Sequence, residues 1–305
     1  MKKNFLFLTF ILLNFSRTTN AAKSQRIING DKATMGHFPG QVSLQRRDGS
    51  HYCGGTLVTL DTVITAAHCF DKLNIKSNKW SQVKVVGNVL VAIERGFGKL
   101  QTRFARFIII HPKYKASIVL NDIAALKLFK KFAKSKYFHP IVYSEKRFPI
   151  GHQCNVSGWG DTTGNYENKQ MSPNLLYVNI FVLDPSHCSG GEYVFFDSNK
   201  QYCAGIVEGG KDACFGDSGS GFTCSGILAG VVSYGIGCAE PGMPGVYTDV
   251  TYYLDWIRQI MTWNRSTPIR HVLIEYKNDA RRSLQSCPNV AFALFCLLLN
   301  MFNLC

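Results

Sequence analysis

Between Arg26 and about Asn264 the apolar residues come in short runs: QVSLQ, GTLVTL, TVITAA, VKVVGNVLVAI, FARFIII, LLYVNIFVL and ILAGVVSYG. They are rich in Val, Ile, Thr and aromatic residues and are separated by turn formers such as RDGS, GDTTGN and EPGMPG. Short β-prone segments punctuated by Gly, Pro, Asn and Asp predict an all-β sandwich or barrel. No internal repeat, low-complexity run or long amphipathic helix interrupts the pattern. One helix is predicted near the end, in YYLDWIRQIMTWN (residues 252–264), where Leu254, Ile257 and Met261 recur at helical spacing. The stretch YSEKRFPIG, residues 143–151, reads as a bridge between two halves of about 120 residues each, with a boundary near 145.

The two ends of the 305-residue chain follow other rules. Lys2 and Lys3 precede an apolar run from Phe5 to Leu13, and Ala21 and Ala22 follow a polar stretch. This is the layout of a cleaved secretory signal over residues 1–22, too short for a membrane anchor. At the far end Asn278, Asp279 and Ala280 precede the polar RRSLQSCPN and an apolar tail from Val290 to Cys305. Small residues, a spacer and a terminal hydrophobic stretch match a GPI attachment signal over 281–305, with Asn278 at the attachment site and 265–280 as a stem. A single-pass helix and a free, secreted end are the competing readings.

Secretion changes how the 11 cysteines are read, because disulfides persist outside the cytosol. Eight lie between Cys53 and Cys238 and three from Cys287 onward, so the body is expected to hold four bridges, with the pairing left open. No CxxC pair occurs, and neither a metal nor a cofactor is expected. The formal charge of +14 shrinks once it is divided along the chain. Residues 1–26 carry five Lys/Arg and no acid and residues 265–305 carry five against two acids, leaving +6 for the body. Its densest cationic stretch, residues 127–147, reads as a solvated connection, with sulfated glycans or an acidic partner as the alternative. Nothing resembles a nucleic-acid-binding module.

KDACFGDSGSG, residues 211–221, taken alone is a polar turn. Nucleophilic serine catalysis needs a hydroxyl, a base, a carboxylate to orient the base, and donors for the oxyanion. Ser218 offers the hydroxyl. TAAHC places His68 at the end of an apolar strand, and NDIAALKL places Asp122 at the head of another. Each alone has a bland reading, a packed histidine and a solvated turn acid. Together, in the order His, Asp, Ser, they do not.

With RIING at residues 26–30, HYCGGTLV, CNVSGWG and VSYGIGCAEPGMPGVYTDV also present, residues 27 to about 264 resemble the trypsin-like branch of the chymotrypsin-fold serine proteases. The resemblance implies two six-stranded antiparallel β-barrels with the active site in the cleft between them. It implies His68 as general base, Asp122 as its orienting carboxylate and Ser218 as nucleophile, with the N–H groups of Gly216 and Ser218 as the oxyanion hole. Asp212 becomes the floor of a pocket for Arg or Lys, Gly235 and Gly245 its walls, and Ala213 a neighbour that favours Arg. Phe215 is expected at the pocket mouth. Cleavage after Arg26 would free the amino group of Ile27 to pair with Asp217, so residues 23–26 are an activation peptide and the uncut chain a zymogen. The implied disulfides are Cys53–Cys69, Cys154–Cys224, Cys188–Cys203 and Cys214–Cys238.

The implied partners are protein or peptide substrates with Arg or Lys, protein protease inhibitors, an activating trypsin-like protease or the enzyme itself, and the membrane through a lipid anchor. The expected location is extracellular, at the cell surface. The alternative is a non-catalytic binding or signalling protein that keeps the fold. Asn264 in NRS is a glycosylation candidate, while Asn155 fits the sequon but is expected to be enclosed. Where the family usually has Gly-Gly-Pro after the nucleophile, this chain has Gly219, Ser220 and Gly221. A positive φ is expected at 220, and reduced stiffness around both replacements.

Overall fold

The apolar runs become strands that close on themselves twice. The computed structural model describes residues 30–71, 83–90, 100–164, 167–264 and 272–275. The first half contributes β1 (Asp31–Lys32), β2 (Gln41–Gln45), β3 (His51–Thr59), β4 (Thr62–Thr65), β5 (Lys84–Gly87), β6 (Gln101–Ile110) and β7 (Ala124–Leu128). The second contributes β8 (Gln153–Gly158), β9 (Leu176–Val182), β10 (Gln201–Gly205), β11 (Gly221–Cys224), β12 (Ile227–Tyr234) and β13 (Gly245–Asp249). Helix α1 (Leu254–Thr262) and β14 (Val272–Glu275) follow.

All pairings between these strands are antiparallel. The order β6-β5-β2-β3-β4-β7 is closed by pairing β7 with β6, and β9-β10-β13-β12-β11-β8 is closed by pairing β8 with β9, giving two six-stranded barrels. The ends of this frame are exchanged: β1 adds to β9 of the second barrel and β14 to β6 of the first. Closure leaves few free edges, which is the physical advantage of a barrel over an open sheet. On β9 the alternation is clean, with Leu176, Val178, Ile180 and Val182 inward. The two-residue link between β11 and β12 is Ser225-Gly226, both at positive φ (52° and 77°), as a tight hairpin turn requires.

Each barrel has its own apolar interior, and a third cluster joins them. Ile64, Phe107 and Ile109 of the first barrel pack with Leu228 and Val231 of the second and with Ile257 and Ile260 of α1. The helix therefore closes the seam on the first barrel although it follows the second in sequence. Its buried stripe is Ile257 and Ile260, with Leu254 and Met261 only half-buried. Among the described residues no helix is long and apolar enough to cross a membrane.

Two expectations are corrected. The cationic stretch 127–147 is not wholly a solvated connection: Lys127 lies inside β7, 4% exposed, opposite Thr62. Its ammonium donates to Thr62 Oγ1 at 2.9 Å and lies 3.6 Å from Asp61. Phe132 and Phe138 of the same stretch are buried against each other. Ser220, in turn, is not among the non-glycine residues at positive φ. It is fully buried and its hydroxyl accepts from Gln41 Nε2 at 3.0 Å, while Gln41 Oε1 accepts from Ser157 Oγ at 3.1 Å. Its N–H donates to Asp217 C=O and its C=O accepts from Val232 N–H, so the segment is tied, not loosened. The hydroxyl fills the space over Gly54, where an added Cβ would stand 1.9 Å from it. A side chain at 221 would meet Thr56 Oγ1 at 2.5 Å.

The Ser157–Gln41–Ser220 chain joins β8, β2 and the loop behind Ser218, and all three residues are buried. Ser220→Ala leaves the Gln41 amide without its acceptor and should lower the unfolding free energy by about 1–3 kcal/mol. Adding Gln41→Ala should then cost less than it does alone, because the two share one interaction. Urea unfolding of the four proteins in this cycle checks both statements.

Candidate active site

His68 opens a short 3-10 turn directly after β4, and the Cys53–Cys69 disulfide ties that turn to β3. Asp122 precedes β7 and has no exposed surface. One of its oxygens accepts the backbone N–H of His68 at 2.9 Å, and the other accepts His68 Nδ1 at 2.7 Å and the Ser233 hydroxyl at 2.6 Å. Its backbone carbonyl accepts from Thr248 Oγ1 at 2.8 Å. Ser233 and Thr248 belong to β12 and β13, so an acid of the first barrel is held by the second. With Nδ1 donating to a carboxylate, neutral His68 keeps Nε2 as an acceptor. Burial of the ring lowers its basicity, but the Asp122 charge and hydrogen bond outweigh this and hold His68 above the ordinary histidine range. Burial likewise raises Asp122, and the pairing with His68 and Ser233 reverses it to below the usual carboxylate range.

Ser218 sits in the loop between Cys214 and β11. The N–H groups of Asp217, Gly219 and Ser220 are engaged with Cys214, Val232 and Asp217 carbonyls, whereas those of Gly216 and Ser218 meet no backbone acceptor among the described residues. Gly216 has φ +96°, a conformation open to glycine. Its carbonyl accepts from His51 Nε2 at 2.9 Å, and His51 Nδ1 faces the Ser43 hydroxyl at 2.8 Å. Since a carbonyl can only accept, His51 carries its proton on Nε2. Burial pushes its pKa down to about 4, so it stays neutral. From the first barrel, Gly54 N–H donates to the Ser218 carbonyl at 2.8 Å.

His68, Ser218 and Asp212 line one cleft of about 380 Å³, together with Val119, Ala213, Phe215, Gly235, Gly245 and Tyr247. Asp212, one of the lining residues, is 5% exposed and accepts N–H bonds from Ala213 at 2.8 Å and Ala239 at 3.3 Å. Burial, only partly offset by these donors, raises its pKa to about 7. A Cβ on Gly235 would be in ordinary contact with Gly245 Cα at 3.9 Å, and one on Gly245 would stand only 2.9 Å from the Tyr247 hydroxyl, so the wall at 245 has no room for a side chain. Tyr247, also lining the cleft, has a buried hydroxyl with no hydrogen-bond partner among the described residues. The Lys169 ammonium lies 4.0 Å from the centre of the Phe215 ring. Asp217, fully buried, accepts N–H bonds from Gly160 at 2.8 Å and Cys214 at 3.0 Å, and burial pushes it up to about 7.

Among the described residues four disulfides are present, joining Cys53 to Cys69, Cys154 to Cys224, Cys188 to Cys203 and Cys214 to Cys238. They are the pairs that the family resemblance implies. Cys53, His68 and Cys69 lie close enough to suggest a metal cluster, but both sulfurs are committed to a disulfide. Asn264 is exposed, and Asn155 is half-buried with its amide donating to Asn179. Arg26, Ile27 and Asn278 lie outside the described residues.

Sequence reasoning gave no role to Ser233, Thr248, His51, Val119 or Tyr247. Ser233, Tyr247 and Thr248 stand inside VSYG and GVYTD, which were recognisable as motifs without revealing what each side chain touches. His51 begins HYCGGTLV, and Val119 carried no signal. Its φ of +47° is unusual for a β-branched residue and is seen only in the structure.

Residues 27–257 match the Trypsin family model. Trypsin-2 of Salmo salar is 37% identical over 242 residues, covering 79% of this chain and 97% of that protein. Trypsin I-P1 of Gallus gallus is 37% identical over 240 residues, covering 78% and 90%. Transmembrane protease serine 9 of Rattus norvegicus is 35% identical over 256 residues, covering 80% of this chain and 23% of that protein. With two closed barrels, the arrangement at their seam and a family match over most of its length, the chain belongs to the trypsin family and is a trypsin-like serine endopeptidase.

Proposed function

We propose that the chain hydrolyses peptide bonds after Arg or Lys by a Ser218–His68–Asp122 acyl-enzyme mechanism. The observation that carries this reading is the 2.7 Å pair of His68 Nδ1 with fully buried Asp122, set in the same cleft as Ser218 and Asp212. Ser218 Oγ attacks the scissile carbonyl carbon while His68 Nε2 removes the hydroxyl proton, and Asp122 stabilises the imidazolium that forms. The oxyanion is met by the N–H groups of Gly216 and Ser218, donors worth about 3 kcal/mol each in such chemistry. His68 returns the proton to the leaving amine, and water then cleaves the Ser218 ester by the same route.

Asp212 selects the residue before the cleaved bond. A cationic side chain restores a partner to a buried carboxylate, whereas an apolar one leaves it unpaired. Ala213 offers no hydroxyl to a lysine ammonium, so arginine is favoured. Control rests on Asp217, which is buried beside N–H donors and has no cationic partner among the described residues. The amino group of Ile27, freed by cleavage after Arg26, is that partner, and the uncut chain is a zymogen. Residues 1–22 direct secretion, in keeping with the four disulfides. The end of the chain carries a GPI anchor at Asn278, and Asn264 is open to glycosylation.

A fluorophosphonate should label the chain cut after Arg26 and label the uncut chain at least tenfold more slowly, with Ser218→Ala abolishing the reaction. No labelling of cut protein would point to a non-catalytic binding protein. Matched peptides should show Arg preferred over Lys by about fivefold to tenfold in kcat/KM, corresponding to about one hydrogen bond; equal values would remove the role given to Ala213. Cationic ligands need Asp212 ionised, and burial pushes its pKa up to about 7. Affinity of a benzamidinium for Ser218→Ala protein should therefore rise about tenfold per pH unit below 7 and level off above it, as measured by calorimetry between pH 5 and 9.

A further inference from the structure

The net charge of the body hides a division between its halves. Residues 27–145 carry 18 Lys/Arg against 7 Asp/Glu, and residues 146–264 carry 6 against 11. The first barrel half is thus +11 and the second −5. Among the described residues from 83 to 136 the one acid is Asp122, buried and committed to His68.

Four of these cations stand on a segment that is braced against β6. After β7 the chain runs beside the start of β6. Gln101 receives the Ala133 N–H at 2.7 Å and donates to the Ala133 carbonyl at 2.8 Å, Arg103 Nε donates to the Lys131 carbonyl at 2.8 Å, and Phe129 N–H donates to the Phe104 carbonyl at 3.0 Å. Phe132 and Phe138 anchor the segment from below. Lys130, Lys131, Lys134 and Lys136 are exposed and form no ion pair with any described residue. Half-buried Lys84 of β5 stands opposite Phe104, the residue whose carbonyl receives the Phe129 N–H, two strands' width from the segment. Four lysines on a braced segment reaching at most about 20 Å lose little order when a long anion lies along them.

We propose that this group, Lys84 with Lys130, Lys131, Lys134 and Lys136, binds a linear sulfated glycan. Lysine ammonium groups are compact point charges with rotatable donors, suited to sulfates spaced along a flexible chain. Nucleic-acid and protein interfaces draw more on the planar fork of Arg and on open aromatic faces. Here the guanidinium of Arg103 is occupied by backbone and Gln101, and the Tyr137 ring is covered by the Lys136 ammonium at 4.5 Å. The acidic second half repels a polyanion, which orients the chain along the first barrel alone.

The test uses the purified protein on immobilised heparin and on a sulfonate cation exchanger. The wild-type protein should leave heparin at a clearly higher salt concentration than the sulfonate resin. The triple variant Lys130→Ala, Lys134→Ala, Lys136→Ala should lose that difference and bind soluble heparin at least tenfold more weakly. Its thermal midpoint should be unchanged. A control of equal charge loss, Lys113→Ala, Lys115→Ala, Lys146→Ala, should keep the heparin preference. Equal elution from both resins, or equal losses in both variants, would overturn the proposal. So would tighter binding of phosphatidylserine vesicles or polyglutamate than of heparin.

Discussion

A carboxylate with no exposed surface lies where the two barrels meet, and the arrangement of the cleft depends on it. Asp122 is placed by β7 of the first barrel, yet two of the hydroxyls that hold it, from Ser233 and Thr248, come from the second. A buried charge is costly unless every lone pair is met. Here the cost is offset only when both barrels are formed and seated together, with His68 supplying the remaining donors. Orientation of the histidine, exclusion of water from the acid and docking of the barrels are thus one condition.

The same economy governs the loop of Ser218. It belongs to the second barrel, but Gly54 binds the Ser218 carbonyl, His51 the Gly216 carbonyl and Gln41 the Ser220 hydroxyl, all from the first. Both sides of the cleft are therefore braced by the opposite barrel. The apolar seam of Ile64, Phe107, Leu228, Ile257 and Ile260 supplies non-directional attraction, while the hydrogen bonds set the register within it. Asp212 and Asp217 differ from Asp122 in lacking a basic side-chain partner among the described residues, and burial lifts both to about 7. A carboxylate in that condition gains from the arrival of a positive charge.

The residues left out of the sequence reading share a trait. Ser233, Thr248 and His51 act through contacts spanning more than a hundred positions in sequence. Ser220 was read as a loosening replacement because its only visible neighbours were glycines; its true neighbour is Gln41, 179 positions away. Lys127 was read with the lysines that follow it, whereas its strand turns it inward against Thr62 and Asp61.

By itself the sequence determined the β class, the helix near the end and the candidate residues His68, Asp122, Ser218 and Asp212, because strand period, turn chemistry and reactive side chains are local properties. It did not reveal the closing strands β8, β10, β11 and β13, which are only four to six residues long, some rich in glycine and polar residues. Only the tertiary structure decided which hydroxyls hold the buried acid, which lysine is inside and which four remain outside on one braced segment. Those outcomes follow from barrel closure and register, which bring together residues that no local pattern can relate.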